Sequence, residues 1–354
     1  MTLSVIIPVY NVEPYVQRCL ESVMAQEVSA AMIECIVVDD CGSDASMGIV
    51  RRLIDGYDGP ERWKVVAHAE NRGLSAARNT GVAHATGDYV LFIDSDDYLL
   101  PGSMDLFARQ LKANPGVDMV VGNVKNCKNN SLLLHWLQSP MLIRSRDELL
   151  VRMLRHSIYL YAWNKMIKRS LLTENGIAFI EGIVYEDQSW SYLLSACLSS
   201  VLLLTEVTYV YEYNEKSIVN GKLTRERLDH ILHSYAVSTS TMLDNPPVAD
   251  RYERNMTVDY LLFMSNYMMN GFDMLSKLHA SPSVESEFRL VRKRLLLLAL
   301  RYGRVLVAAF FLLMYAPFRW LQKIAVFRHH YFAMESVAAC LFHRFDFLHN
   351  KYRL

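Results

Sequence analysis

Three carboxylates stand close together where the apolar run Tyr89-Val90-Leu91-Phe92-Ile93 ends in Asp94-Ser95-Asp96-Asp97. Hard divalent cations want oxygen ligands, and Mg²⁺ commonly takes one or two carboxylates while diphosphate oxygens and water complete its shell. Asp94 and Asp96 have that spacing. Mg²⁺ or Mn²⁺ held there neutralises the charge that builds on a departing diphosphate without moving a proton. Asp also ends strands simply because it favours turns and solvent, so an isolated Asp-x-Asp takes its meaning from the residues that accompany it.

A second acidic pair, Glu186-Asp187, follows the short stretch Ile183-Val184-Tyr185 and precedes a predicted helix. A displacement that inverts an anomeric centre needs a base to take the acceptor hydroxyl's proton as that oxygen attacks. Asp187 is the candidate base, Glu186 the residue that orients it or a sugar hydroxyl, and Asp97 the second candidate. The plainer alternative is that both acids only favour the positive end of a helix dipole.

Two further clusters suit a nucleotide. Asp39-Asp40 closes Cys35-Ile36-Val37-Val38, and Gly42-Ser43-Asp44 turns the chain into a helix capped by Ser43 or Asp44. Asp39 can accept the imide N–H of uracil, which cytosine and adenine do not offer in the same place. Helix capping is the alternative for Asp40. In Asn71-Arg72-Gly73-Leu74-Ser75-Ala76-Ala77-Arg78-Asn79 a loop enters a helix. Gly73 permits a tight approach there, Asn71 can offer its amide to a nucleobase, and Arg78 can grip phosphate or a base carbonyl. Arg72 reads as a solvated charge. In Ala162-Trp163-Asn164-Lys165, Lys165 can neutralise diphosphate and Trp163 can stack on a sugar face. A buried Trp and a surface Lys at a helix start explain the same letters.

The elements that must carry these residues follow from periodicity. Runs at Leu3–Val9, Met32–Asp39, Trp63–Ala67 and Tyr89–Ile93 alternate with helix-like stretches near Pro14–Gln26, Ser46–Asp55 and Leu74–Ala85. This is an α/β pattern with a Rossmann-like, mostly parallel sheet flanked by helices, whose ligands bind beyond the carboxyl ends of the strands. A helix is predicted after Pro101, and strands at Met119–Val124, Val201–Leu204 and Thr208–Tyr213. Residues 1–220 form the predicted catalytic domain, with Leu132–Asn220 as its acceptor-facing half. Residues 221–354 form a predicted helical region, with Leu223–Leu243 as its first helix.

The formal net charge is zero and just over half the residues are apolar, which excludes a disordered chain and a general nucleic-acid binder. Six cysteines with no C-x-x-C pair argue against a zinc site or a disulfide framework and fit a reducing cytosolic setting. No secretion signal is visible, and the histidines, His329-His330 among them, form no metal pattern and read as surface or interfacial residues.

These motifs resemble the family 2 inverting glycosyltransferases of the GT-A fold over roughly Leu3 to Tyr213. The resemblance rests on Ser4 to Asn11, Val38 to Asp44, Asn71 to Gly81, Gly87 to Asp97 and Glu186 to Trp190. It implies a UDP-sugar donor with Pro8, Tyr10, Asp39, Asn71 and Arg78 around uridine, Asp94 near the ribose, Asp96 on Mn²⁺ or Mg²⁺, and Asp187 as base. Cys41 departs from the pattern, which more often shows Gly or Asn there. Processive members carry Gln-x-x-Arg-Trp, whereas here Arg319-Trp320 has Ala316 in the Gln position. A single sugar addition is therefore expected, in capsule, exopolysaccharide or O-antigen assembly.

From Phe288 onward twelve Lys/Arg face two acids, and the run 305–318 is nearly uncharged with basic flanks. About twenty apolar residues cross a bilayer, so this shorter run suits an interfacial position, with a buried helix as the alternative. Residues 288–330 are thus expected to hold the enzyme peripherally at the cytoplasmic face of the inner membrane, beside a lipid-linked saccharide acceptor. A non-catalytic nucleotide-sugar scaffold and a sugar nucleotidylyltransferase are the competing functions. The second would need a glycine-rich basic loop where Tyr10-Asn11-Val12-Glu13-Pro14 stands.

Overall fold

The computed structural model describes residues 1–214, 224–245 and 281–301. The strands are β1 (Thr2–Val9), β2 (Met32–Asp39), β3 (Arg62–Ala67), β4 (Tyr89–Phe92), β5 (Tyr98–Leu99), β6 (Met119–Asn126), β7 (Met141–Ile143), β8 (Lys165–Lys168) and β9 (Val201–Tyr211). The helices are α1 (Glu13–Met24), α2 (Ser46–Asp55), α3 (Leu74–His84), α4 (Ser103–Ala113), α5 (Arg146–Leu154), α6 (Arg169–Glu174), α7 (Asp187–Cys197), α8 (Arg225–Asp244) and α9 (Pro282–Arg301).

The strands join one sheet in the order β3-β2-β1-β4-β8-β6-β9-β5, with β7 on β9. Every β1 residue after Thr2 is buried, as strands covered on both faces require. The predicted βαβ alternation holds for β1 to β4, which are parallel throughout. The second half corrects the expectation of a mostly parallel sheet: β8 runs antiparallel between β4 and β6, and β5 and β7 run antiparallel to β9. β8 is too short to announce itself by periodicity, and its first residue, Lys165, reads in sequence either as a cation for diphosphate or as a surface charge at a helix start. The two strands expected at Val201–Leu204 and Thr208–Tyr213 are one strand, β9, whose register against β6 shifts around Asn123.

Register places the strand ends level. Val9 pairs with Asp39 and Asp39 with Ala67, while Ile6 pairs with Phe92, so Tyr10, Asp39, His68 and Asp94 leave one rim. Helix α3 lies directly on β1: a Cβ at Gly81 would sit 2.2 Å from Ile6 Cγ2. Only glycine allows that approach, and it brings the next turn of α3, with Arg78, over the carboxyl end of the sheet.

Two compact units divide after Ser234, within α8; Asn220-Gly221, the expected boundary, lies outside the described residues. All candidate site residues belong to the first unit. In the second, Arg294 of α9 pairs with Asp244 at the end of α8. No helix among the described residues is long and apolar enough to cross a membrane. The run 305–318, Arg319-Trp320 and most of the basic tail lie outside the described residues.

Candidate active site

The loops leaving β1 and β2 are clamped together. Asn11 Oδ1 accepts from the Ser43 amide at 2.8 Å, Asp44 accepts from the Glu13 amide at 2.9 Å, and Glu13 accepts from the Ala45 amide at 3.2 Å. Helix α2 has Ala45 at its N-cap rather than Ser43 or Asp44, although Asp44 still accepts from the Ser46 amide. Pro8 is buried in β1, and Tyr10 stands 47% exposed just beyond it. Asp39 accepts from the Cys41 amide at 3.1 Å, with Arg51 3.8 Å away.

Cys41 takes φ 59°, the left-handed region that costs most side chains about 1 kcal/mol and suits Gly or Asn. That is a physical reason for the family's usual residue here. Cys41→Asn is expected to raise the unfolding temperature by about 2 °C. An unchanged or lowered melting temperature would show that the thiol's own contacts outweigh the backbone strain.

Asp40, for which helix capping was the alternative, instead organises the loop before α3. It accepts from the Arg72 and Gly73 amides at 2.9 and 2.8 Å and from Asn71 Nδ2 at 2.9 Å, and it pairs with His68 Nδ1 at 2.6 Å. The other ring nitrogen of His68 meets Thr80 at 2.9 Å. The His68 side chain is thus buried and structural, not the surface or interfacial residue expected. Gly73 takes φ 86° with open space around its Cβ position, so backbone conformation rather than close approach calls for glycine. Asn71 spends its amide on Asp40 in this arrangement, and Arg72 pairs with Glu181 at 3.0 Å.

Arg78 is the centre of the site. Its side chain is 1% exposed, and it donates to Asp94 at 2.8 Å, Glu186 at 2.6 Å and Asp187 at 3.0 Å. Burial works against the charged guanidinium, but the carboxylates of Asp94, Asp187 and Glu186 outweigh it and raise its pKa. The arginine that was expected to grip phosphate or base therefore joins the acidic strand end to the acidic helix start.

The segment carrying Glu186-Asp187 is brought to α3 by Asn79, whose side chain donates to the Phe179 carbonyl and accepts from the Phe179 amide, both at 2.9 Å. Phe179 then stacks on Trp190 of α7 at 4.4 Å and lies 5.2 Å from Arg78. Asp187 opens α7, as the helix-terminus alternative required, with Glu186 at the N-cap. Glu186 is 5% exposed and Asp187 16%, which makes Asp187 the more accessible acid. Burial and the neighbouring Asp187 push Glu186 up to about 7, against the pull of Arg78. Asp187 is also raised, by burial and in spite of Arg78.

Asp96 accepts from Asn214 Nδ2 at 3.0 Å, and burial followed by the charge of Asp94 raises its pKa. Asp97 is committed elsewhere: it accepts from the Tyr209 hydroxyl at 2.6 Å and the Glu212 amide at 2.7 Å. That removes it as second candidate base. Lys165 is fully buried in β8, with its ammonium on the Tyr159 carbonyl at 2.6 Å. Burial pulls it down to about 7, against Asp187. It is not open to a diphosphate here. Trp163 is buried too, stacked on Tyr209 at 4.9 Å, so it offers no free face to a sugar.

No group of three His, Cys, Asp or Glu arranged to hold a metal occurs among the described residues. Asp94 and Asp96 nevertheless fit a cation held chiefly by diphosphate. One carboxylate oxygen of each is hydrogen-bonded, to Arg78 or to Asn214, and the mutual repulsion that raises Asp96 is relieved by a cation. Asn214, Tyr209, Asn79 and Phe179 escaped sequence reading because their partners lie about a hundred residues away in the chain.

A parallel half joined across an acidic strand end to a mixed half, with a second acidic pair tied to that strand end through Arg78, is the architecture of the GT-A fold. Residues 4–176 match the model of Glycosyl transferase family 2. It is 26% identical over 278 residues to the EpsH protein of Bacillus subtilis (strain 168), named as a glycosyltransferase, covering 76% of each chain. The fold is similar to that of S. aureus TarS 1-349 in complex with UDP-GlcNAc: TM-score 0.65, 20% identity, 84% of this chain and 81% of that one. It is also similar to the Pyrobaculum calidifontis mannosyltransferase PcManGT in complex with GDP-Man and Mn²⁺, with TM-score 0.51, 16% identity and coverage of 87% and 85%.

Proposed function

We propose that this chain is an inverting, metal-dependent glycosyltransferase that moves one sugar from a UDP-sugar to an acceptor hydroxyl, carried by a lipid-linked saccharide in surface-polymer assembly. The observation that supports this most is the shared guanidinium: Asp187 and Asp94 both lie within 3.0 Å of Arg78, so the candidate base and the first acid of the Asp94-Ser95-Asp96 strand end belong to one cluster.

Asp39, Tyr10 and Asn71 line the rim where a uridine would lie, with Pro8 beneath. Mn²⁺ or Mg²⁺ on Asp96 supplies charge neutralisation for the departing diphosphate. Asp187 takes the acceptor proton while that oxygen forms its bond to C1, opposite the breaking C1–O bond, whose electron pair leaves with UDP. Its raised pKa suits this task, because a more basic carboxylate takes a proton more readily. Glu186 shares Arg78 with Asp187 and orients it. The membrane role belongs to residues 288–330, of which only the part within α9 is described.

The relatives' folds accommodate both UDP-GlcNAc and GDP-Man, so a donor screen is decisive. UDP release is to be followed from UDP-glucose, UDP-galactose, UDP-GlcNAc and UDP-GalNAc, with GDP-mannose as comparison. The expected result is UDP release from at least one of them, abolished by a chelator and lowered about 100-fold or more in Asp96→Ala. Pyrophosphate release would instead identify a nucleotidylyltransferase. Binding of donor with no transfer to saccharide or water would identify a scaffold.

A further inference from the structure

One exposed aromatic ring beside the base has no role in the chemistry above. Tyr161 stacks on Trp163 at 4.8 Å and 7°, and Trp163 stacks on Tyr209 at 4.9 Å and 2°. Trp163 is 3% exposed and Tyr209 fully buried, yet Tyr161 keeps 45% of its surface open. The inner end of this stack is fixed, because the Tyr209 hydroxyl donates to Asp97 and accepts from the Asp94 amide. Its outer end lies beside the helix that the base opens: Ser191, one turn along α7 from Asp187, donates to the carbonyl of Leu160, the residue before Tyr161. Burial and then the Asp187 charge push the Tyr161 hydroxyl up, in keeping with that neighbourhood.

A ring backed this way is held flat and stationary, so little side-chain freedom remains to be lost when something stacks on it. A pyranose is suited to it. One face carries C–H bonds whose hydrogens complement the negative face of an aromatic ring, while the hydroxyls project from the rim. A stacked pyranose therefore leaves a hydroxyl free to reach a carboxylate. The nucleotide-side residues Asp39 and Asn71 follow β2 and β3, whereas Tyr161 precedes β8, on the other side of β4 in the sheet. Resting on the reading of Asp187 as base, we propose that Tyr161 is the stacking platform of the acceptor subsite, holding a pyranose so that one of its hydroxyls meets Asp187.

The test is saturation-transfer NMR on the full chain with UDP and Mg²⁺, using the methyl β-glycosides of glucose, galactose, GlcNAc and GalNAc as probes. At least one glycoside is expected to receive saturation on its C–H face from the parent protein and from Tyr161→Phe and Tyr161→Trp. The affinity for that glycoside should weaken about fivefold to tenfold in Tyr161→Ala, while UDP titrates alike in all four proteins. No signal from any glycoside on the parent, or equal binding by Tyr161→Ala, overturns the proposal. So does a loss in Tyr161→Ala confined to UDP, which would assign the ring to the donor. These outcomes are separate from failure of the base assignment, which is read from turnover of Asp187→Asn and not from glycoside binding.

Discussion

Arg78→Met is expected to destabilise the first unit by about 3–5 kcal/mol at pH 8, measured by urea denaturation, because it strands three carboxylates around a buried apolar side chain. Asp94, Glu186 and Asp187 all point at that guanidinium, and burial already raises the two on α7 even with the cation present. The pH dependence follows from the same shifts. Without Arg78 the folded-state pKa values rise further above the unfolded ones. The folded variant then binds extra protons between the two ranges, and its stability falls as pH rises through the higher values. The deficit against the parent should therefore be largest at pH 8 and shrink towards pH 5. Arg78→Lys is expected to recover only part of it, since one ammonium cannot serve three acids with a planar fork. A Met variant as stable as the parent at pH 8 would show that the acids find other compensation.

Asp187→Asn should depress kcat about 100-fold or more while leaving the KM for donor within about threefold, because the amide keeps the shape and loses the proton acceptor. In the parent, kcat should decline as pH falls through the acid range raised by burial, where protonation of the Glu186–Asp187 pair removes the base. The sign follows directly: the active form is the deprotonated one, and a raised pKa moves the acid limb upward. In Asp187→Asn the residual rate should lose that limb. Equal turnover by variant and parent would remove Asp187 from the chemistry and leave its place at the start of α7 as its whole role.

The first half of the fold was legible in the sequence because β1, β2 and β4 are runs buried on both faces, separated by helices with clear periodicity. The register that levels Val9, Asp39 and Ala67 follows once those runs pair in parallel. The second half was less so. β8 has four residues and β5 two, and pairing over so short a length depends on partners far away in the chain. Lys165 was misplaced for that reason: a lysine in a short strand between two others reads, locally, like a surface charge, whereas the buried alternative for Trp163 holds. The acids of the site were visible as types and spacing, but not their common counter-ion. Arg78 was read by the chemistry of an arginine near a nucleotide, and nothing local says that three carboxylates from two distant segments converge on it. Asp40 shows the converse, since two adjacent acids look alike in sequence while one faces the rim and the other ties down a loop.

The position of α3 carries one more consequence. Its first turn hangs from Asp40, its second holds the guanidinium shared by both acidic segments, and Gly81 seats it on Ile6 without clearance. The Asn71 loop and both acidic segments are therefore tied to one helix, which on the proposed reading mounts donor recognition and proton removal on a single rigid beam. A relative that retunes one by tilting this helix must readjust the other, so divergence in sugar preference is easier to reach through the loops and rings around the beam than through the beam itself.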